Sequence, residues 1–413
     1  MILIVGSGLS GSVFAERLCS IGKDVIVIEK RDHIGGNCYD YIDSTTGIRL
    51  CKYGAHLFHT NYEDVWEYVN NFCNWIDYKH KVVSVVDGKY VPIPVNINTI
   101  NILCNNNDEN NENYINNETE QIEWLNKNRV KYDTINNSEE VAKSLIGELL
   151  YDKLIHNYTY KQWNKYPNEL SPDVLRRIPI NYGYNDSYFS DKYQALPENG
   201  YTYFFEKLLN NEISNNEISK GSNRGSIKVL LNTDYDEYIK GFNNVNEEFE
   251  YIIFTGPIDS YFKDMEKLEY RSIDFVNEIH KINEYPYTYQ CNSVVNYPEN
   301  NVGWTRIVEH KHFPNSYTDS PLNPLFNPHS NPLFNPLFTI ITKEFTNDSG
   351  EPYYPVLNEK NIKLYNKYKE LADNYEKKEG KNVYFLGRLA TYKYFNMDQA
   401  IKNSLDFFYS KNW

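Results

Sequence analysis

Three glycines, Gly6, Gly8 and Gly11, stand between a short apolar run, Ile2 to Val5, and the helix-like stretch SVFAERLCSIG. A second apolar run, DVIVIEK, follows and carries Glu29 at its end. Strand, glycine turn, helix, strand and acid in this order are what a dinucleotide site requires. The first glycine allows the tight turn, the second lets the backbone approach a pyrophosphate, and the third lets the helix pack on the strand. The helix start adds unpaired N–H groups and about half a positive charge for the phosphates. Glu29 falls where a carboxylate takes ribose hydroxyls.

A second glycine pair, Gly35 and Gly36, comes just after the Glu29 strand, with Asn37 next to it. Flavoproteins use such a pair to let backbone pass close to the middle of FAD, where an NAD dehydrogenase continues into a crossover helix. The cofactor expected is therefore FAD. The alternative reading of the pair is a plain turn on an edge loop.

The remaining composition bounds the chemistry. The chain has 413 residues, enough for two or three domains. Its 38 tyrosines and 20 phenylalanines exceed what a core absorbs, so some should line a polar cavity or stack on rings. A net charge of −14 excludes a general nucleic-acid binder but not an anionic ligand, since a few arginines set the field of a cleft. The six cysteines show no CxxC pair and no metal-ligand spacing, so no metal is expected and the thiols read as those of a reduced, cytoplasmic protein. No apolar run approaches a membrane span, and strand residues from Ile2 leave no room for a signal peptide.

These motifs need elements to hold them. Residues 1–82 read as a βαβ unit with a following layer, and Asn96 to Arg176 read as mostly helical. Residues 177–194 and about 261–349 look strand-rich, whereas EYIIFTGPID and NVYFLGRLATY return to the nucleotide-domain style. The Asn-rich patch CNNNDENNENYINNE reads as solvated surface. Two inserts stand out: a doubled NNEIS unit within 210–226, and the four-residue repeat NPLFNPHSNPLFNPLF over 323–338. Proline at that spacing forbids helix and central strand, so the repeat reads as a surface loop.

Eight dispersed tracts then converge. YGAHLFHT (Tyr53–Thr60), PIPVNINTI (Pro92–Ile100), NYTYKQWN (Asn157–Asn164), RRIPI with YFSDKYQALPENGYT, LEYRSIDF (Leu268–Phe275), TRIVEHKHF (Thr305–Phe313), EPYYP (Glu351–Pro355) and FLGRLATYKYFNMDQAI together resemble the UDP-galactopyranose mutase family, from residue 1 to about 405. The resemblance implies an α/β fold: a discontinuous Rossmann-like FAD-binding domain (1–82, 195–260 and 350–413), a helical insert domain (98–176) and a twisted antiparallel β-sheet domain (83–97, 177–194 and 261–349). It implies an isomerase that interconverts UDP-galactopyranose and UDP-galactofuranose. Reduced FAD would act through N5 as a covalent nucleophile at the anomeric carbon, with UDP as leaving group. It also implies a reductant, NAD(P)H or another donor, and makes a homodimer the oligomer to test.

Residue roles follow from the same resemblance. Arg177 and Arg306 match the arginines that meet the diphosphate, with Arg176 as the rival for the RRIPI position. Guanidinium offers phosphate oxygens a two-pronged donor. Tyr158 and Trp163 match the part that holds the uracil, and Leu154 stands one expected helical turn before Tyr158, where relatives often carry an aromatic. Tyr188, Tyr354 and Tyr394 match tyrosines on the diphosphate, with Tyr353 as the alternative to Tyr354. Asn396 stands where many bacterial members have Asp; it can hydrogen-bond but cannot act as a base. His56 matches a histidine beside the flavin, while His59 is assigned to packing. Gly387 and Arg388 in FLGR match residues on the FAD pyrophosphate or ring edge. Two rivals remain: a flavin oxidase, which shares the N-terminal fingerprint but does not need YTYKQW and TRIVEH, and a UDP-sugar binder without catalysis.

Overall fold

The computed structural model describes residues 1–176, 179–210, 224–316, 336–379 and 383–413. Arg177 and most of both inserts, the NPLF repeat included, lie outside the described residues.

Five strands form a parallel sheet in the order Ile227–Leu230, Val25–Ile28, Ile2–Val5, Tyr251–Phe254, Val383–Phe385. They register directly, Ile2 opposite both Val25 and Tyr251. ILIV, VIVI and YIIF are apolar throughout because both faces are covered, so no alternation is required. Ile2 and Ile4 pack with Phe14, Leu18 and Phe408 on one face, and Leu3 packs with Ile252 and Phe249 on the other. The helices Leu9–Ser20 and Met397–Tyr409 lie against each other on the first face. The architecture is α/β with a Rossmann-like sheet.

A seven-stranded sheet runs Tyr354–Pro355, Tyr270–Lys281, Phe338–Asn347, Arg306–Glu309, Val294–Asn296, Val82–Val86, Lys89–Ile93. It departs from a fully antiparallel sheet at one seam, where Val82–Val86 runs parallel to Val294–Asn296. Only hairpin neighbours are bound to run antiparallel, and these two strands are joined by a long connection. The strand-rich reading of 177–194 also needs correction. Described residues 179–192 hold one bridge, Lys81 to Ser187, because Asn181, Gly183, Asn185 and Asp186 favour turns. The strand begins only at Tyr193 and pairs in a separate sheet with Phe58–Thr60 and Trp75–Asp77.

The helical region comprises Ile97–Cys104, Glu118–Asn128, Ser138–Tyr151, a π-turn over Asp152–His156 and Asn157–Trp163. Asparagine starts three of these helices. Asn96, Asn117 and Asn137 each accept the N–H three residues on, from Thr99, Glu120 and Glu140, at 3.0–3.1 Å. Val91, Ile100, Leu125, Ile146, Leu150 and Leu154 form the core beneath. None of the described helices is long and apolar enough to cross a membrane.

Candidate active site

The glycines of the first strand turn make a contact that no side chain permits. A Cβ on Gly11 would lie 2.0 Å from the Gly6 carbonyl oxygen, so helix and turn meet only because Gly11 has none. Gly6 has φ +102°, and a Cβ on Gly36 (φ +55°) would sit 3.0 Å from Gly8 Cα. Gly387, with φ +88°, passes Ser10 closely enough that a Cβ would fall 2.6 Å from its Oγ. These approaches floor a cleft of about 480 Å³ that also takes in Gly35, Asn37 and the starts of the helices Leu9–Ser20 and Met397–Tyr409.

Glu29 is 6 % exposed at the cleft wall. Its Oε2 accepts the Ser7 N–H and hydroxyl, both at 2.9 Å, and its Oε1 accepts the Arg31 N–H at 3.0 Å. Both acceptor sites of Oε2 are engaged by Ser7, and Oε1 keeps a lone pair for a hydroxyl ligand. Arg31, not singled out by sequence, ties this wall together. It donates to Asn37 Oδ1 at 3.0 Å and to Glu351 at 3.1 Å, and it lies 4.3 Å over the Tyr53 ring. Partial burial works against charge on Glu351, but hydrogen bonds from Lys30 and Arg31 hold its pKa down to about 2. A glycine floor, two helix starts and a poised carboxylate fit a dinucleotide such as FAD.

His56 also lines this cleft. Its Nδ1 is 2.9 Å from the Gly54 carbonyl, which only accepts, so the proton is on Nδ1 and Nε2 carries the lone pair. Nε2 is 3.5 Å from the Tyr353 hydroxyl, whose own proton goes to the Tyr53 carbonyl at 2.8 Å. Burial, with Arg388 and Arg306 adding to it, lowers the His56 pKa to about 4, although the Gly54 bond opposes this. The imidazole is neutral near pH 7.

Arg306 lies directly across the sheet from Glu344 and donates from Nε to Glu344 Oε2 at 2.6 Å. Burial should lower its pKa, but Glu344 more than offsets that and raises it. That is the one hydrogen bond of its side chain among the described residues, so both terminal amino groups remain for a ligand. Glu344 is 1 % exposed, and a Cβ on Gly54 would come within 2.8 Å of its Oε1. Sequence reasoning missed Glu344, since nothing in TKEFTN marks it before the strand pairing is known.

Arg388 donates from Nε to the Phe395 carbonyl at 3.0 Å, and its guanidinium is 5.4 Å from the Tyr394 ring and 5.7 Å from Tyr354. Tyr354 and Tyr394 stack at 5.1 Å and 11°. Of the two neighbouring tyrosines, Tyr354 joins this pair and Tyr353 serves the His56 side. Trp163, 4 % exposed, sits 5.9 Å from each stacked ring. Its indole buttresses the tyrosines and presents no open face for stacking. Tyr158 sits among Arg306, Tyr188, Glu344 and Tyr394; burial raises its pKa and Arg306 only partly counters this, so the phenol keeps its proton. Burial likewise raises Tyr354.

Other expected residues fall as follows. Tyr188 donates its N–H to the His80 carbonyl at 2.7 Å, its ring 5.6 Å from that imidazole. Asn396 lines the cleft at the start of Met397–Tyr409, its N–H on Gln399 Oε1 at 3.0 Å. Leu154 is drawn into the helical core by the π-turn, which shifts the face on which Tyr158 follows. Arg176 is an exposed surface partner of Asp173 at 3.3 Å. His59 stacks on Phe189 at 3.7 Å and bonds Asp191 at 2.8 Å.

A family model described as UDP-galactopyranose mutase matches residues 153–394, and one for an NAD(P)-binding Rossmann-like domain matches 4–72. The chain is 33% identical to dTDP-fucopyranose mutase of Escherichia coli, over 98% of its length and 96% of that protein. It is 32% identical to a probable UDP-galactopyranose mutase of Klebsiella pneumoniae, over 98% and 92%. A crystal structure of reduced UDP-galactopyranose mutase superposes with TM-score 0.65 at 16% identity, covering 98% of this chain and 94% of that one, a likeness of fold.

Proposed function

The chain belongs to the UDP-galactopyranose mutase family and is an enzyme of the isomerase kind, and from that premise we propose that it interconverts UDP-galactopyranose and UDP-galactofuranose with reduced FAD in the glycine cleft. Reduced FAD supplies, when bound, the nucleophile for the anomeric carbon. The observation that carries the reading is that His56 and Arg388 line that cleft, with Arg306 close enough to help hold His56 neutral and the Tyr354–Tyr394 pair beside Arg388. Arg306 presents its terminal amino groups to the diphosphate as negative charge grows on the departing UDP, and Glu344 holds the guanidinium in place. Tyr158 and Tyr354 stay protonated and donate hydrogen bonds without adding charge. Tyr188, Tyr394 and Asn396 complete the polar wall, and Arg177 is the second diphosphate arginine in this proposal. His56 keeps its Nε2 lone pair facing the Tyr353 side and acts in positioning. Gly6, Gly8, Gly11, Glu29, Gly35, Gly36, Asn37, Gly387 and Arg388 hold the dinucleotide.

The test is incubation with UDP-galactofuranose, with and without dithionite, followed by chromatography for UDP-galactopyranose. Conversion only after reduction is expected. Failure of a fully reduced, FAD-loaded sample would overturn the proposal and favour the oxidase or the inactive binder. A second reading, dTDP-fucopyranose as substrate, is favoured by the Escherichia coli relative, whose identity matches that of the UDP-galactopyranose mutases. Running dTDP-fucofuranose beside UDP-galactofuranose separates the two by kcat/KM.

A further inference from the structure

Two cations outside the cleft converge on the helix Asn157–Trp163, which carries Tyr158 and Trp163. The first belongs to the helix itself. Lys161 extends its ammonium into the hairpin loop 297–305, between the strands Val294–Asn296 and Arg306–Glu309. There Nζ meets the carbonyl oxygens of Tyr297, of Glu299 at 2.8 Å, of Trp304 at 3.0 Å and of Val302 at 3.5 Å. Burial lowers the Lys161 pKa to about 8, with Glu299 opposing the shift, so the ammonium is retained near pH 7.

The second cation is Arg271, from the tract LEYRSIDF, which the proposed chemistry leaves unused. It is 3 % exposed. Its Nε donates to the Gln162 carbonyl at 3.0 Å, a terminal nitrogen reaches the Lys161 carbonyl at 3.5 Å, and the other pairs with Asp348. The Thr346 hydroxyl donates to the same Lys161 carbonyl, and Asn164 Nδ2 donates to Asp348 at 2.7 Å. The last carbonyls of a helix have no partner of their own, and a cation there also suits the helix dipole. The C-terminal end of this helix is therefore bound to the sheet, and its side chain is bound to the loop that leads into Arg306.

The geometry points to a latch: Lys161, with Arg271 behind it, is a positioning residue that fixes the Tyr158–Trp163 helix against the strand carrying Arg306, and so sets the affinity for the nucleotide part of the substrate. The inference rests on the proposed function, in which Tyr158 and Arg306 face that nucleotide. Neither latch residue touches the cleft glycines, so flavin binding is untouched by it. A carbonyl cage around one ammonium also explains why a Lys is needed here: four acceptors converge on a point, and a neutral side chain leaves them without a donor.

The test is Lys161→Met in the FAD-loaded full chain, measuring UDP binding by calorimetry together with KM and kcat for UDP-galactofuranose under dithionite. Misplacing a binding group by a fraction of an ångström should raise both the UDP Kd and KM by about tenfold or more, with kcat within about threefold and flavin content unchanged. A merely structural residue would lower thermal stability without splitting KM from kcat. A UDP Kd within about twofold of wild type, or a fall in kcat at constant KM, overturns the latch. Should Lys161→Met not fold, Thr346→Val removes one hydrogen bond of the same latch and should raise the UDP Kd by about two- to fivefold; an unchanged Kd overturns it as well. Wild-type protein that binds no UDP would instead defeat the proposed function, and the two failures are thus told apart.

Discussion

Replacing Arg306 alone removes two things at once: a donor to the ligand and the partner of Glu344, a carboxylate that is 1 % exposed. Breaking a buried pair from one side costs about 3–5 kcal/mol of stability, because the remaining charge is left without compensation. Arg306→Ala should therefore lose both stability and affinity. The double variant Arg306→Met/Glu344→Gln removes both charges at similar volume and should recover most of the stability. It should not recover affinity. Losing a hydrogen-bonded charge on the diphosphate costs about 2–5 kcal/mol, or roughly 30- to 4000-fold in Kd. The assay is calorimetry of UDP and of uridine on flavin-loaded protein, with thermal denaturation alongside. Uridine has no diphosphate, so its Kd should move by less than about threefold. The assignment is refuted if the double variant binds UDP as wild type does, or if uridine weakens as much as UDP.

Three further outcomes are expected. His80, 3 % exposed, has its pKa lowered to about 3 by burial, with Arg306 and His59 adding to it, so the unfolded chain takes a proton near pH 6.5 that the folded chain refuses. Its contribution is complete above that pH and is lost as pH falls, by up to about 1.4 kcal/mol per unit; His80→Phe should flatten the stability–pH slope, and identical slopes would contradict this. Gly36→Ala places a Cβ 3.0 Å from Gly8 Cα at φ +55°, so the variant should purify with most of its flavin absorbance missing; full stoichiometry would mean the two backbones can separate. Glu16, with no exposed surface, accepts from Arg17, from Arg224 at 3.2 Å and from the Tyr68 hydroxyl at 2.9 Å. Glu16→Ala should cost about 3–5 kcal/mol in denaturant unfolding and leave the UDP Kd alone, and a loss below about 1 kcal/mol would sink that account.

What the sequence made legible divides by range. The first βαβ unit is local: ILIV, the glycine turn and Glu29 lie within thirty residues, and Gly6 and Gly11 have their reason in contacts that a Cβ would block. The Arg306 side of the site was legible only through a family resemblance, because its geometry depends on a pairing that the intervening repeat conceals. Glu344 becomes the partner of Arg306 only once Phe338–Asn347 is laid beside Arg306–Glu309, and no pattern in TKEFTN announces that register. Leu154 shows the opposite failure. It was expected one regular helical turn before Tyr158, whereas a π-turn over Asp152–His156 holds it and Leu154 packs in the core with Ile146 and Leu150. The strand expectation over 177–194 failed because residues of turn type interrupt its apolar ones.

The electrostatics of the proposed site suit a leaving group that must also come back. The chain carries a net charge of −14, so attraction for a diphosphate has to be local. The two cations described there are each restrained, Arg306 by the Glu344 carboxylate and Arg388 by the Phe395 carbonyl. The Glu344 charge also offsets part of the field Arg306 would otherwise exert. Around them stand phenols: burial keeps Tyr158 and Tyr354 protonated, so they offer directed donors and no net charge. Asn396 extends the same logic, since a neutral amide at the start of Met397–Tyr409 adds no second carboxylate beside Asp398, the acid already in the first turn of that helix. In the proposed reaction such a wall would stabilise charge on UDP as its bond to the sugar breaks, without holding the freed diphosphate so tightly that it could not return to the ring-contracted sugar. Asn396→Asp is the discriminating change: by placing a negative charge on that wall it should weaken UDP more than uridine, and a variant that binds UDP more tightly would show that this position does not face the diphosphate.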